Sequence, residues 1–319
     1  MKTYFITGGA GFIGSNLTER LLNENHKVVV IDNFCNFYDP KIKEKNVENF
    51  LSNNNYWLYR GDIRNINLLE HIFQQNKIDV IIHLAAMAGV RSSIENPILY
   101  QEVNVIGTQN VLEVAKKYHV KNLLLASSSS VYGNSTKIPF QEDTVTDFVI
   151  SPYAASKKAN EVMAHVYHKL YQMNIIMLRF FTVYGPRQRP DLAISKFVKL
   201  IQENQEIPMY GNGNTARDYT YIDDVIEGII KAISYVQKNS DVYEVINIGN
   251  ANPICLTKMI EIMSKELNIN PRIKKYPIPP GDVERTFADI SKAQKLLGYK
   301  PNTSFEEGIH YFVEWYKNK

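Results

Sequence analysis

Thr7-Gly8-Gly9-Ala10-Gly11-Phe12-Ile13-Gly14 is the stretch that decides the fold of this 319-residue chain. It joins a strand-like run, Thr3–Thr7 (TYFIT), to a segment, Phe12–Asn25, in which Ile13, Leu17 and Leu21 recur at four-residue spacing as one face of a helix. Gly8 permits a tight turn, Gly11 lets backbone approach a pyrophosphate, and Gly14 allows close packing of helix against strand. The helix N-terminus at Phe12 and Ile13 offers free N–H groups and partial positive charge to that pyrophosphate. Val28–Ile31 follows without polar alternation, as a parallel strand covered on both faces requires, and Asp32 closes it. Asp32 is placed to accept the adenosine ribose hydroxyls of a dinucleotide. With Asn33 rather than Arg next, a 2′-phosphate would meet a carboxylate, so NAD is favoured over NADP. Asp62 and Ile63 could flank the adenine, although a loop Asp also suits a helix cap.

Outward from this unit the alternation repeats. Strand-like runs at Tyr56–Tyr59, Val80–Leu84, Asn122–Leu125 and Ile175–Phe180 interleave with helical patterns at Ile66–Gln75, Pro97–Tyr118 and Pro152–Gln172. Repeated strand–helix units predict an α/β chain with a Rossmann-type, doubly wound parallel sheet. After Phe181 the rhythm changes, and Gly185–Pro186, Arg189–Pro190 and Gly211–Asn214 mark loops and a turn. Asp223–Tyr235 and Val242–Ile248 are expected to return to the first layer. Helices at Leu256–Leu267, Ser291–Leu297 and Phe305–Tyr316 are joined through the Pro-rich stretch Tyr276–Gly281. The expected division is residues 1–181, with returning segments at about 221–250, as the NAD-binding domain. Residues 182–220 and 251–319 are expected to form a smaller C-terminal α/β substrate lobe, against the carboxyl ends of the strands.

Composition excludes several classes. With 45% hydrophobic residues and a formal charge of +3, the bulk of the chain can bury a core and is not disordered. Two cysteines cannot staple such a length; Cys35 and Cys255 lack the close partners of a metal knuckle and read as incidental thiols of a reducing compartment. No metal is implied. Met1–Lys2 leads straight into a strand, so secretion is not expected, and no apolar run nears the roughly 18 residues of a membrane span. The balanced charge argues against nucleic acid as the main partner.

Chemistry enters with three residue types. Leu125–Gly133 (LASSSSVYG) falls at the carboxyl end of the fifth strand, and Tyr153 and Lys157 stand four apart on one face of the next helix. A lysine cation beside a phenol, together with an oxidised nicotinamide, would favour tyrosinate. Such a tyrosine can remove the proton of an alcohol as its hydride leaves, with a serine hydroxyl sharing the hydrogen bond.

TGGAGFIG, HLAA (His83–Ala86), VNVIGTQN (Val103–Asn110), the serine run and YAASK together resemble the extended short-chain dehydrogenases/reductases, specifically their nucleotide-sugar epimerases and dehydratases. RFFTVYGPRQRPDLA (Arg179–Ala193), RDYTYIDD (Arg217–Asp224) and GDVERTFADISKAQKLLGYKP (Gly281–Pro301) extend the resemblance over nearly the whole chain. It implies a tightly held NAD touching Leu84, Ala85, Ala86 and Asn104, a UDP-sugar substrate, a cytoplasmic location and a homodimer. Counting back four from Tyr132 makes Ser128 the catalytic hydroxyl. Dehydratases of this family carry Asp–Glu next, and UDP-glucuronate decarboxylases carry Glu at the second position. Ser129 and Ser130 stand there instead, which leaves 4-epimerisation.

Thr182, Arg189 and the motifs AGVRSS (Ala88–Ser93) and DNFCNFYDP (Asp32–Pro40) are similar to UDP-glucuronate 4-epimerases. An Arg fork with hydroxyls suits a uronate carboxylate, so Arg189, Thr182 and Ser129 or Ser130 are assigned to it, with Arg91 a second cation. By resemblance Arg217 meets the diphosphate, and Phe197 and Asp282 fall around uridine and its ribose. Pro279 replaces an Arg found in many relatives, and Arg285 is a candidate to substitute for it. The alternatives are a UDP-glucose or UDP-N-acetylglucosamine 4-epimerase, a decarboxylase, or a non-catalytic NAD-binding protein.

Overall fold

A computed structural model describes residues 1–277 and 284–318. In chain order the elements begin with β1 (Thr3–Thr7), α1 (Phe12–Asn23), β2 (Lys27–Asp32), α2 (Pro40–Glu48), β3 (Tyr56–Arg60), α3 (Ile66–Gln75) and β4 (Val80–His83). Next come α4 (Val90–Glu95), α5 (Pro97–Tyr100), a π-helical stretch at Gln101–Ile106, α6 (Gly107–Lys117), β5 (Asn122–Ser128), a 3-10 turn at Ser129–Tyr132, α7 (Pro152–Tyr171) and β6 (Asn174–Phe180). The remainder is β7 (Thr182–Tyr184), α8 (Ala193–Gln202), β8 (Glu206–Tyr210), β9 (Ala216–Tyr221), α9 (Ile222–Lys238), β10 (Tyr243–Ile248), β11 (Pro253–Cys255), α10 (Leu256–Leu267), β12 (Arg272–Tyr276), α11 (Ser291–Leu297) and α12 (Phe305–Lys317).

Seven parallel strands form the main sheet in the order β3-β2-β1-β4-β5-β6-β10. The chain winds outward through β2 and β3, then crosses back to β4, so the strand order reverses between β1 and β4. That switch point opens a crevice at the carboxyl ends of the strands. Side chains alternate between two cores: Tyr4, Ile6, Val28, Val30 and Leu124 fall in one, and Phe5, Val29, Ile31, Leu123 and Leu125 in the other. The second core takes in side chains of α3, α6 and α7. The first runs without a break into α8, α10 and α12 through Phe197, Met259 and Phe312, so one body of apolar packing joins the sheet to the later elements. Those elements carry a three-stranded sheet, β11-β9-β7, and a parallel pair, β12-β8.

Several boundaries differ from the sequence expectation. The first helix stops at Asn23 because Asn25 adopts a left-handed conformation (φ 59°), and the His26 amide donates to Leu21 O at 3.0 Å. The single helix expected at Pro97–Tyr118 contains the wide π turn at Gln101–Ile106. The fifth strand runs on to Ser128, so the first serines of the run belong to it. Five short strands and the helices at Pro40–Glu48, Val90–Glu95 and Ala193–Gln202 had no clear sequence signal. No helix among the described residues is long and apolar enough to cross a membrane.

Candidate active site

The switch-point crevice has a volume of about 410 Å³. Gly8 turns with φ +71°, and a Cβ on it would lie 2.9 Å from Ala85 Cα, so the two loops touch backbone to backbone. On Gly14 a Cβ would sit 2.3 Å from Gly8 O. The N-cap residue of α1, Gly11, has no side chain to cap the helix, and Gly11, Phe12 and Ile13 line the crevice. The glycine turn is thus a cradle built for an anion at a helix N-terminus. Leu84, Ala85 and Ala86 form the facing wall.

Asp32 is buried at the end of β2, where its carboxylate accepts Ala10 N at 3.1 Å and Phe34 N at 2.9 Å. Lys43, from α2, reaches it at 3.7 Å and is itself buried. Sequence reasoning missed Lys43, because α2 is polar and only tertiary packing turns this lysine inward. Cys35 also lines the crevice, 3.3 Å from Lys43 Nζ. Asn33, Asp62 and Ile63 complete that end. Asp62 caps no helix: it binds Arg64 at 2.9 Å and Asn33 at 2.8 Å, while Asn65 caps α3.

Asn104 lies behind the wall. Its amide pairs with Met87, accepting N at 2.8 Å and donating to O at 3.0 Å, and also donates to Ser156 at 3.0 Å. A buried chain runs beside it. Thr7 Oγ1 accepts the Leu84 and Ala85 amides at 3.2 and 3.1 Å, which leaves its proton for His83 Nδ1 at 2.7 Å. The opposite ring nitrogen, Nε2, then donates to Thr108 at 2.9 Å, and Thr108 donates to Asn104 O. Burial, with the Lys157 charge, drives the His83 pKa down to about 3. An unfolded histidine titrates near 6.5, so between those values the unfolded chain binds the extra proton and stability falls as pH falls. In denaturant titrations His83→Gln is expected to flatten this slope by up to about 1.4 kcal/mol per pH unit. An unchanged slope would show that His83 is protonated in the fold.

The reactive end lies beyond β4. Ser128 Oγ accepts Ser130 N at 3.1 Å, and Ser151 caps α7 by accepting Ala154 N at 3.1 Å, with Pro152 opening the helix. That helix start presents Tyr153 and Lys157 to the crevice. Lys157 Nζ is 6.0 Å from the Tyr153 ring centroid and donates to Ala126 O at 2.8 Å; burial lowers its pKa to about 8. The expected depression of the phenol is absent in the protein alone. Burial raises the Tyr153 pKa, while a hydrogen bond with Ser128 and the charge of Arg189 oppose the rise.

Ser129, Ser130, Thr182 and Arg189 line the same end. Asp32 and Asp62, on the β2–β3 side, are the only carboxylates lining the crevice among the described residues. Behind the serines, Ser127 donates to Glu161 at 2.7 Å, and Arg179 holds Glu161 with two bonds of 2.8 Å, a buried pair that braces β5 against β6. Four described residues assigned to the substrate are not in the lining: Arg91 is exposed with its guanidinium 5.5 Å from the Tyr210 ring, and Phe197 is buried in the core. Arg217 donates to Ala216 O at 3.0 Å on β9, and Arg285 is exposed where it bridges to Ala216. Asp282 and Pro279 lie outside the described residues.

A glycine cradle, a ribose-facing acid and a Ser–Tyr–Lys end on one Rossmann crevice define a dinucleotide-dependent enzyme of the short-chain dehydrogenase/reductase class. More narrowly, the chain belongs to the GDP-mannose 4,6 dehydratase family, whose model matches residues 5–312. It is 42% identical over 318 residues to the UDP-glucuronate 4-epimerase of Thermodesulfobacterium geofontis, covering 99% of this chain and 97% of that one. The crystal structure of UDP-glucuronic acid 4-epimerase from Bacillus cereus, in complex with UDP-glucuronic acid and NAD, is 36% identical with TM-score 0.93 over 99% of both chains. UDP-glucose 4-epimerase from Thermotoga maritima is 30% identical, with TM-score 0.90 over 99% of both chains.

Proposed function

We propose that the chain is an NAD-dependent UDP-glucuronate 4-epimerase that forms UDP-galacturonate. The observation that carries this reading is the meeting of Ser128, Tyr153 and Lys157 with Thr182, Ser129, Ser130 and Arg189 in one crevice end that has no carboxylate among its described lining. The residues present fit NAD: the cradle of Gly8, Gly11 and Gly14 takes the pyrophosphate, Asp32 with Lys43 the ribose, and Asp62 and Ile63 the adenine side. When bound, NAD supplies the means of taking the C4 hydrogen of the sugar as hydride and giving it back.

The protein does the rest. Tyr153 removes the C4 hydroxyl proton, Ser128 shares that hydrogen bond, and Lys157 stabilises the phenolate. The 4-keto sugar then turns over so that C4 presents its other face, and Tyr153 returns the proton to O4 as the hydrogen would be given back to C4. A 4-keto uronate is a β-keto acid, so its carboxylate must be kept from aligning its C–C bond with the carbonyl π system. Arg189, Thr182 and Ser129 or Ser130 hold it. Among the described residues, no carboxylic acid lines that end of the crevice to expel a hydroxyl or take the C5 proton. Arg217, Phe197, Asp282 and Arg285 are assigned to the nucleotide end, in a lobe of residues 182–220 and 251–319 set against the NAD-binding domain of 1–181 and about 221–250. Purified enzyme offered UDP-glucuronate and UDP-glucose separately is expected to turn over the uronate with the higher kcat/KM; preference for the neutral sugar would make it a hexose epimerase.

A cytoplasmic homodimer completes the proposal. Ala159, Val162, Val166 and Leu170 form an exposed apolar stripe along α7, beside exposed Ile98 and Ile106 on the neighbouring helices. Two such helix pairs would bury each other's stripes as a bundle. At sedimentation equilibrium the protein is expected to be a dimer and Val162→Glu/Val166→Glu a monomer; a monomeric wild type would contradict the proposal.

A further inference from the structure

Arg189 does not meet the crevice as a bare cation. Asp191, two residues along the same loop, accepts Nε at 3.0 Å and Nη2 at 2.8 Å, a side-on bidentate pair. The guanidinium also lies over Phe37, 5.2 Å from the ring centroid. Its side chain is only 18% exposed, whereas that of Asp191 is 41% exposed, so the acid caps the cation from the solvent side. Among the described residues Nη1 has no hydrogen-bond partner, which leaves the end-on edge of the fork for a second carboxylate.

We propose that Asp191 is a specificity-determining residue: it offsets much of the Arg189 charge, so that a uronate carboxylate is recognised by the free edge of the fork without being clamped. The inference rests on the uronate reading above. Its physical basis is the turnover of the 4-keto sugar between the two half-reactions. A contact made to the C5 carboxylate in the first pose must break before the opposite face can be presented. Affinity spent on that ground-state contact therefore adds to the barrier for rotation. An uncompensated arginine in a sheltered crevice binds a carboxylate strongly. Asp191 weakens it in place while fixing the plane of the guanidinium. The Arg189 charge also reaches the Tyr153 phenol, so the pair sits where it can act on the reacting end.

Asp191→Asn keeps the shape and one acceptor and removes the charge. Titration of the NAD-loaded variant is expected to show UDP-glucuronate bound about tenfold more tightly than by wild type, the scale of one partly sheltered ion pair, with UDP-glucose affinity unchanged. Turnover should show KM and kcat for UDP-glucuronate falling together. Unchanged or weaker uronate binding, or equal tightening for both sugars, would overturn the role of Asp191. Affinity is read independently of turnover, so a wild type that prefers UDP-glucose would defeat the functional reading without deciding this one. A fall in melting temperature together with weaker binding would show that Asp191 only holds the loop.

Discussion

Tyr153→Phe is expected to lower kcat by about three orders of magnitude with NAD content and melting temperature unchanged. Among the described residues, the phenol is the group at the reactive end suited to take an alcohol proton. Among the described lining, Ser128, Ser129, Ser130 and Thr182 are hydroxyls with no carboxylate or imidazole beside them, and Lys157, which gives one of its protons to Ala126 O at 2.8 Å, serves as the cation rather than the base. Phenylalanine keeps the ring and its edge contact with Tyr100, at 6.2 Å between centroids, so the helix and cradle should be undisturbed. A variant that kept wild-type turnover would remove Tyr153 from the mechanism. Because the Arg189 charge opposes the rise in the phenol's pKa, Arg189→Gln should move the acid limb of the rate profile to higher pH, whereas an unmoved limb would assign that role elsewhere.

Gly14→Ala and Gly11→Ala should both abolish NAD retention, for different reasons. At Gly14 the new Cβ would lie 2.3 Å from Gly8 O and 2.7 Å from Gly9 Cα, both backbone, so the turn itself must move. Overpacking of this kind costs about 1–3 kcal/mol, and the melting temperature should fall by several degrees. At Gly11 the only near atom is Gly8 O at 3.2 Å, and φ of −74° suits alanine. That variant should melt like wild type yet purify without NAD, because the methyl occupies space meant for the pyrophosphate. Equal destabilisation of both, or NAD retained by Gly11→Ala, would contradict the cradle as described.

These contrasts show what a linear sequence can carry. The cradle, Asp32 and the Tyr153–Lys157 pair were legible because local rules fix them: a turn that needs glycine, the end of a strand, and an i,i+4 spacing on a helix, whereas Ser128 was picked out of its serine run by the family resemblance alone. The alternating residues of β1 and β2 likewise announced a sheet covered on both faces. Lys43 was not legible, since nothing in PKIKEKNVE marks one lysine as buried beside Asp32. Nor was the pairing of Arg189 with Asp191, as an i,i+2 spacing in a loop implies no contact until the loop is folded. Asn104 was tied to the cofactor by its motif, but the π turn directs its amide to Met87 behind the wall. The helix Pro152–Tyr171 was read for its catalytic pair alone, while its exposed Val162, Val166 and Leu170 carry a second message about association.

The most direct measurement of the central claim is the fate of the C4 hydrogen during conversion of UDP-glucuronate in deuterated water, followed by mass spectrometry and proton NMR of the product. Epimerisation by transfer and return within one crevice predicts UDP-galacturonate with its original C4 hydrogen, no deuterium at C4 or C5, and no pentose. Deuterium at C5, or a UDP-pentose as the main product, would contradict it.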